Sequence, residues 1–268
     1  MGWSLCHDDE VGIAMKIRVL GSHGSVNPDY HTSSYLINDK ICIDAGSLCS
    51  SLSNDEQFEL EHVFITHPHL DHIKDLAFIT ENTFSPDRKK LNVYSIPSVI
   101  EDIKAHLFND IIWPDFTKIP VDKDGNMILG YEPLSGEVNV EGVKIKPVKV
   151  NHPGNATGYL VDDGVSQVLF TGDTGPTDEV WKLTNKLDKL KAVFTEITFP
   201  DRMNWLAEVS GHMTTQLLMD DLKKLDDQEV PVYISHFKPL FLEELIDEFY
   251  AKSPKRLKLL HHLDEIDL

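Results

Sequence analysis

The chain has 268 residues, 41% of them hydrophobic, and a formal charge of −19, so it can bury a large core beneath an acidic surface. That balance weighs against a protein that grips a long nucleic acid: Lys89-Lys90, Lys223-Lys224 and the lysines of residues 252–258 are short basic runs among acidic neighbours. It also excludes a membrane span, because no stretch approaches the roughly 20 apolar residues that such a helix needs.

Residues 1–14 have no basic start, long apolar run or small-residue cleavage site, and are expected to form a flexible extension with no secretory signal. Cys6, Cys42 and Cys49 make no disulfide framework, which sets the cytoplasm as the expected compartment. No repeat or low-complexity tract interrupts residues 15–268, which are expected to form one domain. Strands and helices alternate in two similar halves divided near residue 150, a pattern that suits two face-to-face sheets with helices outside.

Residues 62–66 read as a short buried strand, and from Asp71 onward His72, Leu76, Ala77, Ile79 and Phe84 follow a helical spacing. Residues 85–134, with helix-like Val99, Ile100, Ile103 and Leu107 and the aromatic run 111–116, break the alternation; a lid or a homodimer surface is expected there. Further strands are predicted at 143–150, 168–172 and 232–235, and a helix from about Thr214.

Between the first of these strands and its helix lies Thr66-His67-Pro68-His69-Leu70-Asp71-His72. Three imidazoles and a carboxylate within six residues form a mixed nitrogen and oxygen donor set of the kind that holds zinc, iron or manganese. His67 and His69 share a face of extended chain, whereas Asp71 and His72 fall in the first helical turn and point from the other side of the bend. Such a turn can present ligands to two ions. His152, Asp173 and His236 then stand at the ends of the three later strands, where open α/β architectures place their sites. His23 and His31 lie close to where a substrate rim is expected, and Lys238 could meet a phosphate oxygen, although a solvated position is the commoner outcome for each.

The order H-x-H-x-D-H, His, Asp, His resembles the metallo-β-lactamase superfamily of di-metal hydrolases. Residues 15–21, 32–37 and 41–46 resemble its first three strands. Residues 170–178, 196–202 and 210–214, with Gly211-His212-Met213-Thr214, are most similar to the class II cyclic-nucleotide phosphodiesterases. The resemblance implies an α/β fold, a four-layer αββα sandwich of two mixed sheets with outer helices. It implies one metal on His67, His69 and His152, a second on Asp71, His72 and His236, and Asp173 bridging them. The ions are two divalent metals, zinc by default, with iron or manganese also accepted.

It further implies His212 as the general acid, oriented by Glu196, with Asp71 also in the catalytic set. The expected reaction is hydrolysis of a 3′,5′-cyclic nucleotide, cAMP and/or cGMP, to the 5′-monophosphate by a metal-bridging hydroxide. The alternatives are a tRNA 3′-end processing endonuclease, another cyclic-phosphate phosphodiesterase, a thioester or lactone hydrolase, and a non-catalytic ligand-binding sensor. The charge of −19 favours a small cyclic nucleotide, with no nucleic acid and no membrane as partner.

Overall fold

The computed structural model describes residues 15–268, so the expectation of a flexible extension falls outside the described residues. Short runs of Ile, Val and Phe, apolar on both faces, set the architecture. The first sheet contains β1 (Lys16–Gly21), β2 (Ser34–Ile37), β3 (Ile41–Ile43), β4 (His62–Phe64), β5 (Leu91–Ser95) and β6 (Leu129–Pro133). The second contains β7 (Val138–Val140), β8 (Val143–Val148), β9 (Gly158–Asp162), β10 (Gln167–Phe170), β11 (Leu190–Glu196), β12 (Val232–Ser235) and β13 (Leu257–Leu259). The last strand, β14 (Glu265–Asp267), returns to pair with β1. The orders are β14-β1-β2-β3-β4-β5-β6 and β13-β12-β11-β10-β9-β8-β7.

Both sheets are mixed in the same way. From β14 to β3 and from β7 to β10 neighbours run antiparallel; from β3 to β6 and from β10 to β13 they run parallel. Successive residues of the parallel strands serve opposite layers, as the pleat requires. Ile41, Ile43 and Phe64 meet Val168, Phe170 and Phe194 between the sheets. Cys42, Val63 and Val93 pack outward on Ile73, Leu76, Val99 and Ile103. Leu169, Val193, Val232 and Ile234 pack outward with Leu218, Leu245 and Phe249. Helices thus cover both outer faces, giving the expected α/β, four-layer αββα arrangement. Phe170, Phe194 and Tyr233 stack across three adjacent strands at 4.5 and 4.9 Å and form part of the core between the sheets.

Two boundary expectations need correction. The division near residue 150 is wrong: β7 and β8 already belong to the second sheet, and β14 belongs to the first. Nor does the whole of 85–134 stand apart as an insertion. It supplies β5, the helix Pro97–His106 and β6, which continue the first sheet in parallel register, and only the connection after the helix is irregular.

No helix among the described residues is long and apolar enough to cross a membrane. The carboxyl ends of the parallel strands, and of β8, carry the polar residues that matter next.

Candidate metal centre

β4 is followed by His67 and then by His69, which stands at the N-cap of the helix Leu70–Asn82 with extended backbone angles. Its side chain makes no capping hydrogen bond, so helix capping does not account for this histidine. Asp71 and His72 occupy the first turn. The chain can approach that turn closely because position 46 is glycine: a Cβ there would lie 2.1 Å from the Asp71 carbonyl oxygen.

The structure brings the distant residues to this turn. His67, His69, His152 and Asp173 each offer a ligand atom, all within 4.8 Å of one another, and Asp71, His72 and His236 do the same. Asp173 lies between the groups. Its Oδ2 is 3.5 Å from His67 Nε2 and 3.3 Å from His236 Nε2, while its Oδ1 is 3.4 Å from His72 Nε2. Asp71 Oδ2 lies 3.4 Å from His236 Nε2.

The far sides of four of the five rings are tethered, whereas His69 places its Nδ1 2.9 Å from His67 Nε2. His72 Nδ1 donates to Asp44 Oδ2 at 2.7 Å, His152 Nδ1 to the Gly211 carbonyl at 2.9 Å, and His236 Nδ1 to Thr198 Oγ1 at 2.8 Å. His67 Nδ1 is 3.1 Å from Thr66 Oγ1, which itself donates to Asp44. These contacts set the tautomers and aim the Nε2 lone pairs inward. For His72 and His152 the Nε2 atoms are buried and lack hydrogen-bond partners, an arrangement that protein groups alone leave unsatisfied. The donor set therefore fits divalent metal.

Electrostatics agree with that fit. Burial, then neighbouring His72, holds His67 well below the ordinary imidazole value, and burial likewise lowers His69 and His152, which keeps these rings neutral and able to ligate. Burial works against ionisation of Asp173, but the charges of His236, His72 and His67 outweigh it and hold its carboxyl well below the usual range. Asp71 is also lowered: burial opposes this, and the His236 hydrogen bond and His72 charge prevail. Burial disfavours protonated His72, yet Asp173 and Asp44 raise it well above its usual value. Bound cations would take over that role of positive partner.

Glu196 and His212 form the neighbouring pair. Glu196 ends β11 and is 1% exposed; it accepts from His212 Nδ1 at 2.8 Å, the Thr174 amide at 2.8 Å, the Met213 amide at 3.3 Å and the Thr198 hydroxyl. His212 stacks at 5.3 Å on His236 and lies 5.0 Å from His152. Burial lowers its proton affinity, but the charge and hydrogen bond of Glu196 outweigh this and raise it above the ordinary imidazole value. Thr214, at the N-cap, accepts from the Leu217 amide at 3.2 Å, so the helix Thr215–Asp221 is capped without His212. Gly211 holds the turn with φ +68°, and a Cβ there would lie 2.3 Å from Pro153 Cδ.

Sequence reasoning missed Asp44 and Thr198. Asp44 follows β3, adopts φ +61° and gathers the Thr66 amide, the Thr66 hydroxyl and His72. The strand-end rule that picked out His152, Asp173 and His236 applies to it as well. Asp44→Asn is expected to weaken metal affinity about 10–100-fold, measured by chelator competition. Among the remaining histidines, His23 is pushed down to about 4 by burial and by His261 and His31, and His31 stacks on His262 at 4.0 Å. Lys238 donates to the Gly24 carbonyl, so it is not a purely solvated lysine.

A family model described as cAMP phosphodiesterases class-II matches residues 53–246. The "Probable 3′,5′-cyclic-nucleotide phosphodiesterase" of Yersinia pestis is 29% identical over 212 residues, 66% of this chain and 57% of that protein. The 3′,5′-cyclic-nucleotide phosphodiesterase 1 of Saccharomyces cerevisiae is 26% identical over 186 residues, 61% of this chain and 50% of that protein. The chain thus spans about half the length of the curated relatives it matches. Among solved structures, unliganded yeast PDE1 superposes with a TM-score of 0.76 at 19% identity, covering 96% of this chain and 100% of that one. The metallo-β-lactamase fold protein YhfI of Bacillus subtilis gives 0.75 at 17% identity, covering 95% and 99%. On the family match and this shared fold, the chain belongs to the class-II cAMP phosphodiesterase family.

Proposed function

We propose that the protein is a metal-dependent phosphodiesterase that hydrolyses 3′,5′-cyclic nucleotides, cAMP and/or cGMP, to 5′-monophosphates. The observation that carries this reading is the Glu196–His212 pair set against the His and Asp cluster. His67, His69 and His152 would hold one divalent ion, Asp71, His72 and His236 a second, and Asp173 would belong to both. Bound there, the ions supply Lewis acidity toward the phosphate and an activated water.

The protein's own groups do the rest. Asp71, partly open to the cleft, orients the attacking water. Glu196 accepts a hydrogen bond from His212 Nδ1–H, favouring the protonated ring, and so leaves Nε2–H to protonate the departing 3′-oxygen. Thr198 links the two halves of the site, accepting from His236 and donating to Glu196. A singly charged cyclic phosphate can be drawn in by the local field of bound cations despite the charge of −19.

A metal-replete panel of cAMP, cGMP, 2′,3′-cyclic nucleotides and precursor tRNA at equal enzyme concentration tests this reading. The 3′,5′-cyclic nucleotides are expected to have the highest kcat/KM. Preferred cleavage of tRNA would transfer the protein to the nuclease alternative. Full metal content with no turnover of any substrate would leave the sensor.

A further inference from the structure

We infer that the apolar cavity beside Pro68 and Leu70 receives the purine base of the substrate, an assignment that rests on the cyclic-nucleotide reading above. The cavity measures about 370 Å³. That is within the range of about 300–1,000 Å³ typical of small-ligand sites, which are mostly apolar with a few placed polar groups.

Chain continuity places it next to the reaction. Pro68 separates His67 from His69, and Leu70 separates His69 from Asp71, so two of its walls alternate with three candidate metal ligands. Buried Ile73 and Leu107 also line it. Leu70 and Ile112, also in its wall, are 68% and 62% exposed and present aliphatic surface that a flat base can cover. Ile112 is also held in place. Its amide donates to Asn109 Oδ1 at 2.8 Å, and the adjoining Trp113 packs edge-on against Phe78 at 5.4 Å.

Asp102 and His106 supply the polar wall; of the Asp102 oxygens, Oδ2 is already engaged. Asn155, three residues beyond His152, donates to Asp102 Oδ2 at 2.7 Å, which fixes the carboxylate and leaves Oδ1 able to accept from the exocyclic amino group of a purine. A second cavity, of about 170 Å³, lies beside His236, but two of its serines are already committed. Ser22 Oγ donates to the Leu260 carbonyl and Ser235 Oγ to the Thr195 carbonyl.

The test compares kcat/KM for cAMP with kcat/KM for the base-free ribose 3′,5′-cyclic phosphate, in the metal-replete wild type and in Ile112→Ser and Asp102→Asn. Ile112 is exposed, so its replacement does not threaten the core. In both variants the ratio of cAMP to base-free substrate is expected to fall about tenfold, because only the former loses contacts with the base. An active wild type whose ratio is unchanged in both variants overturns the base pocket and leaves the phosphodiesterase reading standing. A wild type inert toward both cyclic phosphates overturns that reading, and this inference with it.

Discussion

Asp173→Ala is expected to lower turnover of cyclic nucleotide by at least about 10³-fold, because the ion's contribution of several kcal/mol is lost at roughly 1.36 kcal/mol per tenfold. The reason is positional. Asp173 is 3% exposed, and its two oxygens face the Nε2 atoms of His67, His72 and His236 at 3.3–3.5 Å. No other carboxylate among the described residues faces both candidate ligand groups in this way. Without it, each group keeps three donors but loses the charge they share, and affinity should fall at both positions. Metal per protein by elemental analysis should fall with activity, while far-UV circular dichroism stays near that of the wild type.

Asp173→Asn refines the test, since it preserves volume and one carbonyl oxygen but removes the charge. It should behave more like the alanine variant than like the wild type. Chelation of the wild type followed by dialysis should reproduce the loss, and added zinc or manganese should restore turnover there but not in Asp173→Ala. Near-normal turnover at full metal content in Asp173→Ala would refute the shared-ligand arrangement.

Local crowding made the first part of this site legible. Three imidazoles and a carboxylate between His67 and His72 have few purposes, and the strand before them and the helix after them follow from ordinary apolar periodicity. His152, Asp173 and His236 could be chosen because each ends a predicted strand, whereas Glu196 and His212 came from the family resemblance. Asp44 escaped although it too ends a strand, because its partners Thr66 and His72 stand 22 and 28 residues away and only the fold shows its carboxylate under His72. Thr198, in Ile-Thr-Phe-Pro, reads as loop; its role depends on three partners at sequence separations of 2, 14 and 38.

The sheet pairing of the termini was illegible for a related reason. β14 joins β1 across nearly the full chain, and no local pattern encodes that register. The β7–β8 hairpin likewise carries an alternation that fits either sheet, so its membership of the second is decided by packing against β9. The residues of 85–134 looked irregular because β5 and β6 are short and flank a proline-initiated helix, yet their parallel pairing buries Leu91, Val93 and Leu129 as firmly as the other strands.

His212→Ala is expected to leave the metal content unchanged and to reduce kcat for cAMP by about 10²–10⁴-fold. Its Nδ1 points to Glu196 at 2.8 Å and lies 4.0 Å from Asp173, so its loss removes a proton donor without opening either group of ligands. The proposed role concerns only the departing oxygen, which gives the experiment a sharper arm. A phosphodiester with a nitrophenyl leaving group needs no proton to depart, so the gap between wild type and variant should shrink strongly on that substrate. Glu196→Gln should fall between the two, since an amide oxygen can still accept from Nδ1 but no longer supplies the negative charge that favours a protonated ring. Equal losses on the alkyl and the aryl ester would instead assign His212 to binding the phosphate or to packing beside Phe199, from which its ring centre lies 5.8 Å away. A melting temperature close to that of the wild type separates those two outcomes, because a packing role for a side chain only 8% exposed would lower it.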